Sequence, residues 1–534
     1  MTLIMFRTAR TLLIPLIFPL IVVAQQATQC PVEQHPKFKI TVAPELAAEP
    51  VSGRLIVMMS NQSGPAEKLA PSFGPNAHDV WLASKDVHDL TPQAPAYLDP
   101  DELAYPDAFC KAPEGKYKMR AVLDVDHNFA YSYNASDGDL LGPIAEQSFN
   151  PSSNDIISLT LVERKTSPPL KLPPNTELLD FESPALSAFW GRSIHMRGAI
   201  VLPPGYRNGK AHYPTVYLTH GFGGDLNSMV QRSAPNISKL MEDKKIPEMI
   251  WVLLVESSPT GTHEFADSVN NGPWGTALTG ELIPHLEKQY RMDARPSGRF
   301  LTGHSSGGWA ALWIQVSHPN FFGGAWPTAP DPSDFRSFTR IDLTKRPLPD
   351  FYKNEDGSPL MLIRMGGRDV QSIQDLALQE RVLGPYGGQL ASFEWVFSPR
   401  GKDGLPMPLF DRDTGRIDPQ VAEYWEQHYD IANTLRENWK KIGPSLNGKI
   451  HLTVGTADTF HLDDAARLLQ QTIQDLGGKA SFTYLEGRSH FDLYQSGLLE
   501  QIAKEMYTVA RPSNTQPNRL GSAAKRKTVG TATP

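Results

Sequence analysis

Cysteine is nearly absent: Cys30 and Cys110 are the only two in 534 residues. That count excludes a disulfide framework, and with no His-Glu-x-x-His or paired Cys-x-x-Cys segment the sequence offers no zinc pattern, so no metal is expected. Long apolar runs are scarce too. Leu12 to Val23 is the run that comes nearest to a span, and it is short and interrupted by Pro15 and Pro19, against the roughly 20 residues a membrane helix needs. No stable membrane span is expected. Charge of one sign does not dominate: 51 Lys and Arg stand against 58 Asp and Glu, a net charge of −7. No basic stripe interleaves with aromatics, so nucleic acid is excluded as an expected partner. The lysine and hydroxyl residue of a phosphate-binding loop are missing as well, and no cofactor is expected.

What is present is a chain of ordinary composition, 40% hydrophobic, long enough for two or three domains. Arg7 and Arg10 precede the short apolar run, and Val22-Val23-Ala24 supplies small residues for cleavage. Residues 1–24 therefore read as a signal peptide, and the protein is expected to be secreted or periplasmic. In such a compartment Cys30 and Cys110 would pair if geometry permits. From 25 to 165 the pattern is one of short alternating runs, Phe38 to Val42, Gly53 to Met58, Lys116 to Val125 and Ile156 to Val162, separated by Pro, Gly, Asn and Ser turns. This predicts a small antiparallel β-sandwich domain whose part is to brace its neighbour. Asp124-Val125-Asp126-His127-Asn128 imitates the start of a calcium loop, but Phe129 stands where glycine is needed and Ala135 where glutamate is. Residues 166–180 are expected to be a linker and 511–534 a disordered tail.

The chemistry lies further on. Gly303-His304-Ser305-Ser306-Gly307 sits between the short extended run Arg299 to Thr302 and the apolar helix start Trp309 to Ile314. A strand-to-helix turn of this kind holds its central serine in a strained backbone and exposes the hydroxyl. Ser305 is the candidate nucleophile. A serine needs a base and a group to hold that base. Downstream, the strand Lys449 to Gly455 ends on Asp458; a helix from Asp463 to Leu476 and a strand from Ser481 to Leu485 follow, then Glu486-Gly487-Arg488-Ser489-His490. Asp458 is the candidate acid and His490 the candidate base, each in a loop at the carboxyl end of a strand. Asp331 and Asp334, after the strand-like Gly323 to Thr328, are the competing acids. The buried-type strand Thr215 to Thr219 runs into His220-Gly221-Phe222-Gly223-Gly224. Backbone amides of Gly221 or Phe222, with that of Ser306, are the expected oxyanion donors.

Together with Arg197 to Tyr206 and with Gly272-Pro273-Trp274-Gly275 before Leu282-Ile283-Pro284, these segments resemble the esterase family of α/β-hydrolases that holds esterase D (S-formylglutathione hydrolase), feruloyl and enterochelin esterases, and mycolyltransferases. The resemblance covers roughly 194–510. It implies an α/β-hydrolase fold with a mostly parallel sheet over 181–510, a secreted serine esterase acting through an acyl-enzyme on a small-molecule or polymer-linked ester, and substrate contacts at His220, Trp274 and His304. Transfer of the acyl group to a sugar or lipid alcohol, and a non-catalytic binding protein on the same fold, are the competing readings. The oligomeric state is not legible. The interval from Ser305 to Asp458 is longer than two strand-helix units of about 30 to 40 residues each require. An insertion over about 340–442 is therefore expected, with a helix through Val421 to Trp439, lying over the carboxyl edge of the sheet.

Overall fold

The strands of the catalytic half are continuous apolar runs, and such runs form where a sheet is covered on both faces. A computed structural model describes residues 35–46, 49–62 and 69–512; the expected signal peptide, Cys30 and most of the expected tail lie outside the described residues. An eight-stranded sheet is built from β1 (Thr176–Glu182), β2 (His195–Val201), β3 (Thr215–Thr219), β4 (Ile250–Leu254), β5 (Arg299–His304), β6 (Gly324–Thr328), β7 (His451–Gly455) and β8 (Ser481–Leu485), in the order β1-β2-β4-β3-β5-β6-β7-β8. The β1–β2 and β2–β4 pairs are antiparallel. The rest of the sheet is parallel. β4 and β6 are buried at every residue. This is the α/β-hydrolase arrangement. Because β1 begins at Thr176, the sheet takes in residues that the sequence assigned to the linker.

Helices cover both faces. α1 (Ser306–Ser317) follows β5 directly, and its hydrophobic surface is nearly all buried. Between β6 and β7 the chain leaves the sheet and forms α2 (Ile373–Leu383), α3 (Gln389–Phe397), α4 (Pro419–His428) and α5 (Ile431–Leu446) before returning. The single helix expected from Val421 to Trp439 is two. The break falls at Tyr429, and Asp430 starts the second helix by accepting a hydrogen bond from the Asn433 N–H at 3.2 Å, the work of an N-cap. α6 (Leu462–Asp475) joins β7 to β8, and α7 (Leu498–Ala510) closes the described part of the chain.

The N-terminal region holds two sheets. One has seven strands, all paired antiparallel, with Val51–Ser60 between Trp81–Leu90 and Gly115–Asp124. The other has three, in which Lys37–Val42 pairs antiparallel with Ala96–Leu98 but parallel with Ile156–Leu161. That parallel pair departs from the all-antiparallel expectation. It forms because the first and last long strands of the region lie side by side, running the same way. Leu55, Val57 and Met59 point into the core the two sheets share. Ile56 and Met58 point the other way and pack with Phe129, Ala130 and, from α2, Val382 and Leu383. The strand reads as an unbroken apolar run because both of its faces are covered. Arg54 strengthens the same contact: this buried side chain donates to the carbonyls of Val382 and Arg381 at 3.0 and 3.2 Å. Cys110 is disulfide-bonded.

Candidate active site

β5 delivers Ser305 into a left-handed backbone, φ 60° and ψ −125°. A non-glycine residue there is strained, and the strain persists only because its surroundings impose it. The neighbouring glycines show how. A Cβ on Gly303 would lie 2.1 Å from the Gly307 carbonyl oxygen, and one on Gly307 would lie 2.3 Å from that of His220. Strand, turn and helix start are thus packed backbone against backbone, leaving the Ser305 side chain half-buried at the carboxyl end of the sheet. The backbone N–H of Ser306 opens α1.

His490 and Asp458 come together from the loops after β8 and β7. His490 Nδ1 is 2.9 Å from Asp458 Oδ2. The other carboxylate oxygen accepts from the N–H groups of Phe460 at 2.9 Å and Leu462 at 3.3 Å. Burial works to raise the Asp458 carboxyl, but the His490 charge, its hydrogen bond and those two N–H groups outweigh it and hold the group below its usual range. The His490 ring lies 4.4 Å from the ring of His304, the residue before the serine, with Phe460 edge-on at 4.9 Å.

The Ser305 hydroxyl donates to Asp331 Oδ1 at 3.4 Å, and among the described residues no hydrogen bond within 3.5 Å joins it to His490. Asp331 also accepts from Ser306 Oγ at 2.6 Å and from Gln389 Nε2, at the start of α3, at 3.4 Å. Two of the three acids weighed in the sequence therefore occupy different places, Asp458 on the imidazole and Asp331 beside the serine. Burial pushes the Asp331 carboxyl up to about 6. Asp334 is elsewhere, buried and paired with the half-buried Arg336.

The loop after β3 lies against the serine. A Cβ on Gly221 would be 2.9 Å from the His304 carbonyl oxygen and 3.0 Å from Ser305 Cβ. Only a glycine lets the loop come this close. His220 and His304 were expected at the substrate. Both line a cavity of about 360 Å³, and protein groups hold them there: His220 Nδ1 donates to the Gly221 carbonyl at 2.8 Å while Nε2 accepts from the Glu256 N–H at 3.0 Å, and His304 Nδ1 meets Thr328 Oγ1 at 3.1 Å. Burial keeps both imidazoles neutral, lowering His220 to about 4 and, with the His490 charge second, His304 to about 3. Trp274 stacks on His263 at 3.6 Å and donates to the Asn271 carbonyl at 2.9 Å. Its free edge lines a groove of about 1200 Å³ beside Asp225 and Leu226, with Trp190, Trp395 and Tyr386.

Residues 191–498 match the family model described as "Putative esterase". The chain belongs to the esterase family. Among curated relatives, the protein YbbA of Bacillus subtilis (strain 168) is 23% identical over 138 residues, covering 24% of this chain and 53% of that protein. Esterase Rv1288 of Mycobacterium tuberculosis (strain ATCC 25618 / H37Rv) is 28% identical over 128 residues, covering 24% of this chain and 27% of that one. The chain thus matches about half or less of the length of these two relatives. The solved structure of a ferulic acid esterase aligns with a TM-score of 0.37 at 16% identity, covering 62% of this chain and 98% of that one. The esterase family match contains Ser305, Asp458, His490 and the His220–Gly224 loop, and excludes the N-terminal sheets.

Several residues around this esterase-family centre were missed in the sequence. Glu256 and Glu264 are wholly buried nearby, pushed well above the usual carboxylate range by burial first and then by the Asp331 charge. Phe73, from the N-terminal region, packs on Phe460 and Phe491, the two rings flanking His490. No local pattern marks these contacts. The calcium-like motif was visible, and its Asp124 and Asp126 do meet Asp139, with ligand-type oxygens within 4.8 Å of one another. Their oxygens are engaged by their own loop: Asp124 accepts from the N–H groups of Asn128 and Phe129, both at 3.1 Å, and Asp139 from that of Val125 at 2.9 Å.

Proposed function

We propose that this protein is a secreted serine hydrolase that cleaves carboxylic esters through a Ser305-His490-Asp458 triad and an acyl-enzyme. Ser305 Oγ exchanges its long contact with Asp331 for His490 Nε2, gives its proton to that nitrogen and forms a bond to the ester carbonyl carbon. Asp458 holds Nδ1–H, which leaves Nε2 as the lone-pair nitrogen and stabilises the imidazolium. The carbonyl oxygen becomes an oxyanion and takes hydrogen bonds from the N–H groups of Phe222, or Gly221, and Ser306. His490 returns the proton to the departing alkoxide as the tetrahedral intermediate collapses. Water then repeats the sequence on the acyl-enzyme, and the acid leaves with Ser305 restored.

The observation that carries this reading is a strained serine packed against a glycine loop, next in the chain to His304, whose ring lies 4.4 Å from the His490 imidazole that pairs with a buried carboxylate at 2.9 Å. The family match and the presence of all three residue types favour catalysis over a binding protein. The aromatic groove that starts at Asp225, the residue after the glycine loop, is our candidate for the place of the bulky side of a small-molecule or polymer-linked ester. We read the N-terminal sheets as a sandwich domain that braces the hydrolase, and residues 1–24 as its export signal. The test is Ser305→Ala. Hydrolysis of p-nitrophenyl acetate should vanish while the melting temperature holds, and turnover at the parent rate would overturn the proposal.

A further inference from the structure

The glycine-rich loop His220-Gly221-Phe222-Gly223-Gly224 has little stiffness of its own, because two of its last residues are glycines and Gly223 sits at φ 78°. What it touches from outside the hydrolase body is Tyr131. This residue lies on the short helix Phe129–Ser132 of the N-terminal region and is 4% exposed. Its hydroxyl donates to the Gly224 carbonyl at 2.7 Å, and its ring meets that of Phe222 edge-on at 4.7 Å. The Gly224 N–H in turn donates to the Gly221 carbonyl at 3.1 Å. One tyrosine therefore holds the turn at its last residue, Gly224, and at Phe222, whose amide is a proposed oxyanion donor. Asp124 explains how Tyr131 is aimed: its carboxylate binds the N–H groups of Asn128 and Phe129, fixing the start of the helix that carries it.

We infer that Tyr131 is a positioning residue for catalysis, and that the N-terminal domain completes the active site by holding the oxyanion loop in its productive form. The acidic segment Asp124-Val125-Asp126 then serves as the mount for this tyrosine. The inference rests on the proposed function, in which the loop amides stabilise the tetrahedral intermediate. Such an interaction acts on the transition state more than on the bound ester, so its loss appears in kcat and leaves KM nearly unchanged.

Tyr131→Phe keeps the ring on Phe222 and removes only the hydroxyl; Tyr131→Ala removes both. With p-nitrophenyl acetate, Tyr131→Phe should lower kcat about fivefold and Tyr131→Ala about a hundredfold, the latter near the loss seen when an oxyanion donor is removed. KM should stay within about twofold in Tyr131→Phe. Amide hydrogen exchange in the peptide spanning 219–226 should speed up in both variants, while peptides from the strands around β5 stay unchanged. A purely structural tyrosine would lower the melting temperature and the amount of active enzyme without changing turnover per active site, which titration with a fluorophosphonate counts. The inference is overturned if turnover per titrated site in Tyr131→Phe stays at the parent value, or if exchange at 219–226 is unaltered. Ser305→Ala, run alongside, separates the two claims. Turnover surviving there sinks the triad reading itself, whereas a dead Ser305→Ala beside a fully active Tyr131→Phe sinks only the role of Tyr131.

Discussion

Replacing Asp458 with asparagine should disable the base by reversing its tautomer. One carboxylate oxygen is held by two N–H donors, Phe460 at 2.9 Å and Leu462 at 3.3 Å, and the other faces His490 Nδ1 at 2.9 Å. Asparagine has one acceptor oxygen and one donor NH₂ of the same shape. The two backbone donors claim the oxygen, so the NH₂ must take the position facing Nδ1. That nitrogen then has to accept, its proton moves to Nε2, and the lone pair that would take the Ser305 proton is gone. The stabilising charge beside the imidazolium disappears in the same step. The equivalent change in a serine protease costs about 10⁴ in kcat, or roughly 5 kcal/mol of transition-state stabilisation. A loss of that order is expected here at neutral pH, measured as kcat for p-nitrophenyl acetate on protein whose circular dichroism matches the parent. A loss smaller than about tenfold would refute the assignment. So would a larger loss in Asp331→Asn, which would make Asp331 the acid.

Two other perturbations probe the neighbours of the triad. Asp331 is raised to about 6 by burial, so between its ordinary value near 4 and pH 6 the folded protein keeps a proton that the unfolded chain has released. Stability therefore falls as pH rises through that window, and Asp331→Asn should remove this part of the fall. Relative to the parent, the variant should gain on the order of 3 kcal/mol at pH 7 compared with pH 4, read from denaturant unfolding at each pH; parallel curves would show that Asp331 is not perturbed. Gly221→Ala would bring a methyl within 2.9 Å of the His304 carbonyl oxygen and 3.0 Å of Ser305 Cβ. The loop must withdraw, and kcat should fall about 10²-fold; steady-state kinetics showing no change would place the oxyanion donors elsewhere.

The parts of the centre that were legible in the sequence are those written locally. β3 and β8 occupy the residues expected of them, and β7 and α6 begin within two residues of expectation. In each of these strands the apolar run ends at a turn, and the turn carries a side chain or backbone amide of the proposed centre. The pairing of His490 with Asp458 rather than Asp331 followed from chain order, since the acid and base loops belong to the adjacent strands β7 and β8. What stayed hidden depends on contacts across long stretches of chain. Tyr131 meets Gly224 from 93 residues away, and nothing around Tyr131 in the sequence distinguishes it from a core tyrosine. Phe73 reaches Phe491 only because the N-terminal sheets pack on the insertion. The Trp81–Leu90 strand, with its charged stretch Lys85-Asp86, escaped notice because only its partners make it a strand. Asp430 could have been read as a helix start, yet the aromatic spacing of Tyr424, Trp425, His428 and Tyr429 carried the helical pattern straight through the break.

The most direct test is to treat the full-length protein with a fluorophosphonate and identify the modified residue by peptide mass spectrometry. One equivalent of label on Ser305, with loss of hydrolysis in proportion and no labelling of Ser305→Ala, is the expected result. Inactivation with the label on another residue, or unimpaired labelling of Ser305→Ala, would contradict the claim that this serine is the nucleophile.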